Sequence, residues 1–291
     1  MMTSRASLIG FSAILMWALL AFLSAASGHV PPLQLAAMCF AIGGGLGAAS
    51  WLFRAGAARR AFAEDWRVYA MGCAGLFTYH FFYFTAIRLA PALEVSLIAY
   101  LWPMLIIVFS AFLPGEKLRL HHVLGGLLGL GGAALIMTGG KGVVFSPEYA
   151  AGYGAALLCA LIWSGYSVLS RACRRASTDV ITVFCLVSSV LALLAHLALE
   201  RTVWPQVLQE WLAVVLLGGL PLGAAFYAWD YGVKHGDIQV LGAASYAAPL
   251  LSTLVLVAAG IGELSWVSAV ACASITLGAL WAARDLVLTQ N

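Results

Sequence analysis

Ten apolar runs, each long enough to cross a bilayer as a helix, dominate this chain of 291 residues. A crossing helix needs about 20 mostly apolar residues. The runs lie at approximately 6–26, 33–53, 67–87, 92–113, 121–140, 150–170, 179–199, 211–232, 238–259 and 265–284. Nine short loops and two short tails hold the remainder, which leaves no room for a soluble domain. Composition agrees. With 63% apolar and only 9% charged residues, and a mean hydropathy of +0.97, the chain has too little polar surface for a water-soluble fold of this size. The expected fold class is an all-α polytopic membrane protein with ten transmembrane helices. Arg5, the first apolar run and "SAASG" at 24–28 resemble a secretory leader. The expectation is that this segment is retained as the first span, because it matches a later one.

Charge sets the expected orientation. With the N-terminus inside, the inner segments hold Arg5, Arg54, Arg59, Arg60, Arg67, Lys117, Arg119, Arg171, Arg174, Arg175, Lys234 and Arg284. The outer segments hold only Arg88, Lys141 and Arg201. That asymmetry predicts that both termini are cytoplasmic. The net charge of +3 is therefore a topology signal, and no basic face suggests nucleic acid. The six cysteines form no C-x-x-C pair and fall within or at the ends of apolar runs. Packed thiols are expected, with neither a metal site nor a cofactor.

The chain also repeats itself at a constant offset. Trp17 matches Trp163, Ser24 matches Ser170, Gly72 matches Gly218, Arg88 matches Lys234 and Gly132 matches Gly278. "YFTAIRLAPALEVSLIAYLWP" at 83–103 lies over "WDYGVKHGDIQVLGAASYAAP" at 229–249 without a gap, and Glu116 and Glu263 follow one residue out of step. A fixed offset across several spans signals duplication. The expected repeats are 1–145 and 146–291, of five spans each. Five is odd, so the second repeat enters the bilayer inverted. Inverted repeats are common in carriers that open alternately to each side of a central site.

Two five-span halves, with "PGEKL" at 114–118 before "GLLGLGGAALIMTGG" at 126–140 and "IGELS" at 261–265 before "LGALWAARD" at 277–285, resemble the drug/metabolite transporter superfamily, EamA-type. The stretch "TYHFFYFTAIRLAPALEVSLIAYLWPMLIIVFSAFLPGEKL" is most similar to YddG-type aromatic amino-acid exporters of bacterial inner membranes. The resemblance covers nearly the whole chain. It implies efflux of aromatic and other neutral amino acids through a central cavity, with the bilayer and the small-molecule substrate as partners. The sequence does not give the oligomeric state, and a monomer is compatible with it.

Polar and aromatic groups near mid-span are the candidates to line such a cavity, since an interfacial belt would place them at helix ends. Tyr79, His80 and Tyr83 share a face of the third span at i, i+3 and i+4 spacing. Ser96 and Tyr100 lie on one stripe with Pro103, and Trp102 is close by. Trp17 and Trp163 are repeat-related, and Tyr227, Ser245 and Tyr246 complete the expected substrate set. Pro103 and Pro249 are the expected hinges. A proline removes one helical hydrogen bond and clashes with the preceding turn, so the carbonyls of Ala99 and Ser245 are expected to be freed toward the cavity. Asp230 and Lys234, four residues apart, read as an ion pair, and His196 reads as structural.

Other cargoes and another class stay in view. A phosphorylated solute would want mid-span Lys or Arg, and all fifteen lie at span ends or in loops. Another small solute, a drug or metabolite, is the alternative cargo, and proton coupling through Asp230 or His80 stays open for either. An intramembrane enzyme is the distant one. "WSGYS" at 163–167 offers serines, and His121–His122 before the fifth span offer bases, but neither G-x-S-x-G nor H-E-x-x-H occurs. The expectation is a transporter and not an enzyme.

Overall fold

A computed structural model describes residues 2–261 and 265–284, and all regular structure among them is helical. The α-helices are α1 (Met2–Trp17), α2 (Leu20–Ala26), α3 (Pro32–Ser50), α4 (Ala57–Ala61), α5 (Trp66–Leu89), α6 (Ala92–Ala99), α7 (Trp102–Ser110) and α8 (Leu120–Thr138). They continue with α9 (Ala150–Ala172), α10 (Val180–Leu199), α11 (Leu208–Gly219), α12 (Ala225–His235), α13 (Ile238–Ala244), α14 (Ala247–Ala258) and α15 (Trp266–Ala282). Eight segments are long and apolar enough to cross a membrane. Four of them join two helices end to end: α1 with α2, α6 with α7, α11 with α12, and α13 with α14. The 17-residue α15 is apolar but shorter, and the 24-residue α5 is diluted by Tyr69, Tyr79, His80, Tyr83 and Arg88. The chain is a multi-pass membrane protein.

Helix ends follow local chemistry. Asp65 caps α5 by accepting from the Arg67 N–H at 2.8 Å, and Asp237 caps α13 by accepting from Gln239 and Val240, both at 3.0 Å. Such caps satisfy amides that have no partner within the helix. Gly139 ends α8 at φ 60°, a left-handed conformation that costs glycine little.

The main packing partners are α3 with α10, α8 with α15, α1 with α12, and α5 with α9. Moving each helix by the repeat offset sends α3 to α10, α8 to α15, α1 to α9 and α5 to the span holding α12. The set of pairs maps onto itself. At the α8–α15 crossing the symmetry reaches single atoms. A Cβ on Gly278 would lie 2.6 Å from the Gly125 carbonyl oxygen, and one on Gly132 would lie 2.9 Å from that of Ala271. Gly132 and Gly278 are offset partners, as are Gly125 and Ala271, so each contact is the image of the other. Small residues let backbones approach where lipid supplies no hydrophobic drive.

Backbone shape breaks this symmetry. The first span is interrupted after Trp17, and the eighth contains a π turn at Leu220–Ala224. Their images in α9 and α5 are unbroken. The sequence reading anticipates neither interruption.

Candidate functional site

One cavity of about 740 Å³ opens into the bundle. The first span contributes Trp17 and Ser24, α5 contributes Tyr79, His80 and Tyr83, and the fourth span contributes Ser96, Tyr100 and Trp102. Trp163 of α9, Pro221 and Phe226 of the eighth span, and Pro249 and Ser252 of α14 complete its main walls. Seven expected substrate residues therefore meet here: Trp17, Tyr79, His80, Tyr83, Ser96, Tyr100 and Trp163. Among the described residues, no Asp, Glu, Lys or Arg lines it.

Four tryptophans close its inner end. Trp17, Trp102, Trp163 and Trp229 are in mutual contact, with all six centroid separations between 5.1 and 6.4 Å. Most pairs are edge-on or tilted, the arrangement that the ring quadrupoles prefer. Two donors pin the cluster: Trp17 Nε1 donates to the Pro221 carbonyl at 3.1 Å, and Trp229 Nε1 donates to Ser167 Oγ at 3.0 Å. Beyond the rings the helices are packed together. Ala13 and Ile14 precede Trp17 on α1, and Ser164 and Ser167 follow Trp163 on α9; all four are buried and none lines the cavity. The mouth lies the other way, at Ser27, Gly28, Val30, Ile87 and Met137. The cavity is thus closed toward the face where α1 begins (the N-terminal face) and open toward the opposite one (the far face).

His80 Nδ1 lies 2.8 Å from the Leu76 carbonyl. A carbonyl only accepts, so this nitrogen carries the proton, and in the neutral ring Nε2 is the acceptor. Phe40 packs edge-on against the imidazole at 5.0 Å. Tyr79 and Tyr83 stack with centroids 6.3 Å apart, as their spacing on α5 predicts.

Three expected substrate residues lie elsewhere. The Tyr227 hydroxyl is 2.9 Å from Thr182 Oγ1 and 3.5 Å from the Gly43 carbonyl, so the ring points between α3 and α10 and not into the cavity. The π turn is the reason. One extra residue rotates everything after it by about 100°, which leaves Phe226 facing the cavity. Ser245 is fully buried, and its hydroxyl donates back to the Leu241 carbonyl at 2.7 Å. Tyr246 is fully buried against Gly129 of α8.

Both expected proline breaks are present, between α6 and α7 and between α13 and α14. They approach each other: a Cβ on Gly242 of α13 would lie 3.1 Å from the Pro103 carbonyl oxygen. Pro249 lines the cavity and Pro103 is buried beside it. The Ser245 carbonyl, however, is not free. It accepts from Ala248 N–H at 3.1 Å, because a tightened turn satisfies the oxygen more cheaply than leaving it bare. The signals missed in sequence were "GGLPLG" at 218–223, which makes the π turn and exposes the Pro221 carbonyl, and the convergence of Trp102 and Trp229 with the two repeat-related tryptophans.

The charged groups cluster at the two ends. At the N-terminal face Asp230 and Lys234 form the expected pair at 2.8 Å, and Asp179 accepts from Arg54 and Arg60 at 2.6 and 2.9 Å. Burial alone would raise the Asp179 carboxyl, but its bonds to Arg54, Arg60 and Ser177 outweigh that and hold it below the usual range. At the far face Glu200 binds Arg88, accepts from the Leu33 and Gln34 amides that begin α3, and lies 3.0 Å from His196 Nδ1. His196 is structural, as expected. His121 and His122 lie buried in the first turn of α8 and not in a loop. Glu263 lies outside the described residues.

Residues 4–138 and 150–284 each match the EamA-like transporter family. The chain is 52% identical over 282 residues to the aromatic amino acid exporter YddG of Ancylobacter novellus, covering 96% of this chain and 97% of that protein. It is 32% identical over 173 residues to the protein of the same name in Salmonella typhimurium, covering 56% and 57% of the two chains. A solved crystal structure at 51% identity superposes with a TM-score of 0.92, covering 96% of this chain and 97% of that one.

Proposed function

The chain belongs to the EamA-like transporter family, and from that premise we propose that it exports aromatic and other neutral amino acids by alternating access. The observation that carries the reading is a cavity walled by aromatic rings and free of charged side chains among the described residues. A zwitterionic head needs only hydroxyls, carbonyls and an imidazole acceptor, which Ser96, Tyr100, Pro221 and His80 offer. The rings of Trp17, Tyr79, Tyr83 and Trp163 suit an aromatic side chain. The 52% identical relative, named for aromatic amino acids, supports this cargo. Transport follows the substrate gradient, since among the described residues no charged pair faces the cavity to carry a coupled proton. The test is uptake of a labelled amino-acid panel into proteoliposomes, with and without an imposed pH gradient. Transport of phenylalanine, tyrosine or tryptophan independent of that gradient is expected; chemical alteration of the solute or strict proton dependence would overturn the reading.

The proposed architecture is ten spans in two inverted repeats, 1–145 and 146–291, in a bacterial inner membrane with both termini cytoplasmic. The exchange-symmetric packing supports it. So does the broken symmetry of shape: in an inverted repeat, opening to the other side amounts to the halves trading conformations. The present shape, with the first and eighth spans bent, is the outward-open one. Reporter fusions in the 141–149 loop should register outside, and fusions at 54–66 and 171–178 inside. A cytoplasmic signal from the 141–149 loop would sink the inverted-repeat arrangement.

Pro103 and Pro249 are the proposed hinges. Each removes a helical hydrogen bond in advance, so the segments beside it can turn without breaking another. Pro103→Ala and Pro249→Ala should each preserve insertion and thermal stability yet slow flux several-fold. Wild-type flux in both variants would reduce the two prolines to packing.

A further inference from the structure

Among the bridges at the N-terminal face that the repeat does not duplicate, one reaches the ends of three spans. Arg171, in the last turn of α9, donates through Nε and Nη2 to Glu116 Oε1 at 2.9 and 2.6 Å. Its Nη1 donates to the carbonyls of Val233, Lys234 and Gly236 at 3.2, 2.7 and 3.0 Å. These carbonyls close the C-terminal end of α12, where helix geometry leaves oxygens without partners and the dipole favours a cation. Only a guanidinium can serve a carboxylate and three carbonyls from one planar group. The side chain is only 16% exposed and that of Glu116 19%, so water screens the pair less than it would a surface bridge. Glu116 lies in the turn between α7 and α8, which belongs to the first repeat. The bridge therefore joins the ends of three spans across the boundary between repeats, on the side that the four tryptophans close.

The repeat offset carries Arg171 to Ala25. At the matching place toward the far face stands a methyl group, which can make none of these bonds. We propose that Arg171, acting through Glu116 and the α12 carbonyls, is a one-sided latch that holds the carrier open to the far face. The two halves match in part, so each contact that only one opening can make biases the carrier toward that opening. A charge-assisted bridge available in only one of the two openings shifts the resting population toward it, because an equilibrium moves by the difference in interaction between its two states. Solute leaving toward the N-terminal face has to part these ends, which makes Arg171 a positioning residue for the gate and not a contact for the cargo.

The latch rests on the carrier reading above, but it is read by accessibility and not by flux, so its failure would leave that reading standing. Place a single cysteine at Ser252, which lines the cavity, with the six native cysteines replaced. Measure its reaction with a membrane-impermeant maleimide applied separately from each side. Arg171→Ala and Glu116→Gln should each slow labelling from the far face by about fivefold or more, and raise it from the N-terminal face, as a coupling of ordinary size predicts. The double variant should go no further than the stronger single one, because both remove the same bridge. Arg171→Lys, which keeps the charge but loses the fork, should fall between. Unchanged two-sided labelling in folded single variants would overturn the proposal. So would loss of fold in both, which would make the bridge an architectural brace.

Discussion

Asp230→Ala should be the most damaging single substitution to stability, costing about 3–5 kcal/mol, because it leaves a buried ammonium without its counter-ion. The Asp230 and Lys234 side chains are 1% and 2% exposed, and Lys234 Nζ lies 2.8 Å from Asp230 Oδ2. Every other partner of the pair is neutral. Ser170 and Thr178 donate to the carboxylate at 2.6 and 2.7 Å, and Lys234 donates to the Ala176 carbonyl at 3.0 Å. Alanine at 230 strands the cation with one carbonyl and strands two hydroxyls as well. A large drop in the midpoint of thermal unfolding in detergent is expected. The double substitution Asp230→Ala with Lys234→Met should recover most of it, since a buried pair replaced by apolar groups is often close to neutral. A single variant as stable as the parent would mean that water reaches the pair.

Trp163→Ala should cut flux of aromatic substrates by about tenfold or more, the equivalent of about 1.4 kcal/mol or more. The ring faces the cavity and touches Trp17, Tyr79, Trp102, Phe226 and Trp229, all with centroids within 6.4 Å. It belongs at once to the substrate wall and to the seal below it, and aromatic contacts contribute about 0.5–1.5 kcal/mol each beyond their buried area. Tyr100→Ala, which removes a hydroxyl from the wall but leaves the seal, should lose less. Trp211→Ala is the control: that ring stacks on Trp204, is 41% exposed and lines no part of the cavity. Flux in proteoliposomes of matched protein content measures all three. Equal losses at Trp163 and Trp211 would remove the tryptophan cluster from the path.

Much of the cavity was legible in the sequence because helical spacing fixes which side chains on one element share a face. Tyr79, His80 and Tyr83 needed only the geometry of a single helix, and α5 is unbroken through them. Pro103 and Pro249 announced their breaks because proline cannot donate a hydrogen bond wherever it sits. Asp230 and Lys234 were readable as a pair for the same local reason, being one helical turn apart.

What failed was whatever depended on how spans are rotated against each other. Tyr227 was misplaced because the π turn at Leu220–Ala224 shifts the phase of α12, and Ser245 and Tyr246 because the α13–α14 break turns them into the helix packing. Arg88 finds Glu200, and Arg171 finds Glu116, across more than fifty residues of chain. By itself the sequence determined the solvent, the helical class, the duplication and the two proline breaks, since these follow from hydropathy, a constant offset and proline chemistry, all properties of segments. Only the tertiary structure decided that four tryptophans from four spans close one end of the cavity, which carbonyls are satisfied, and which face carries the Arg171 bridge. Those outcomes depend on the relative rotation and depth of packed helices, and no segment encodes its own rotation until its neighbours are in place.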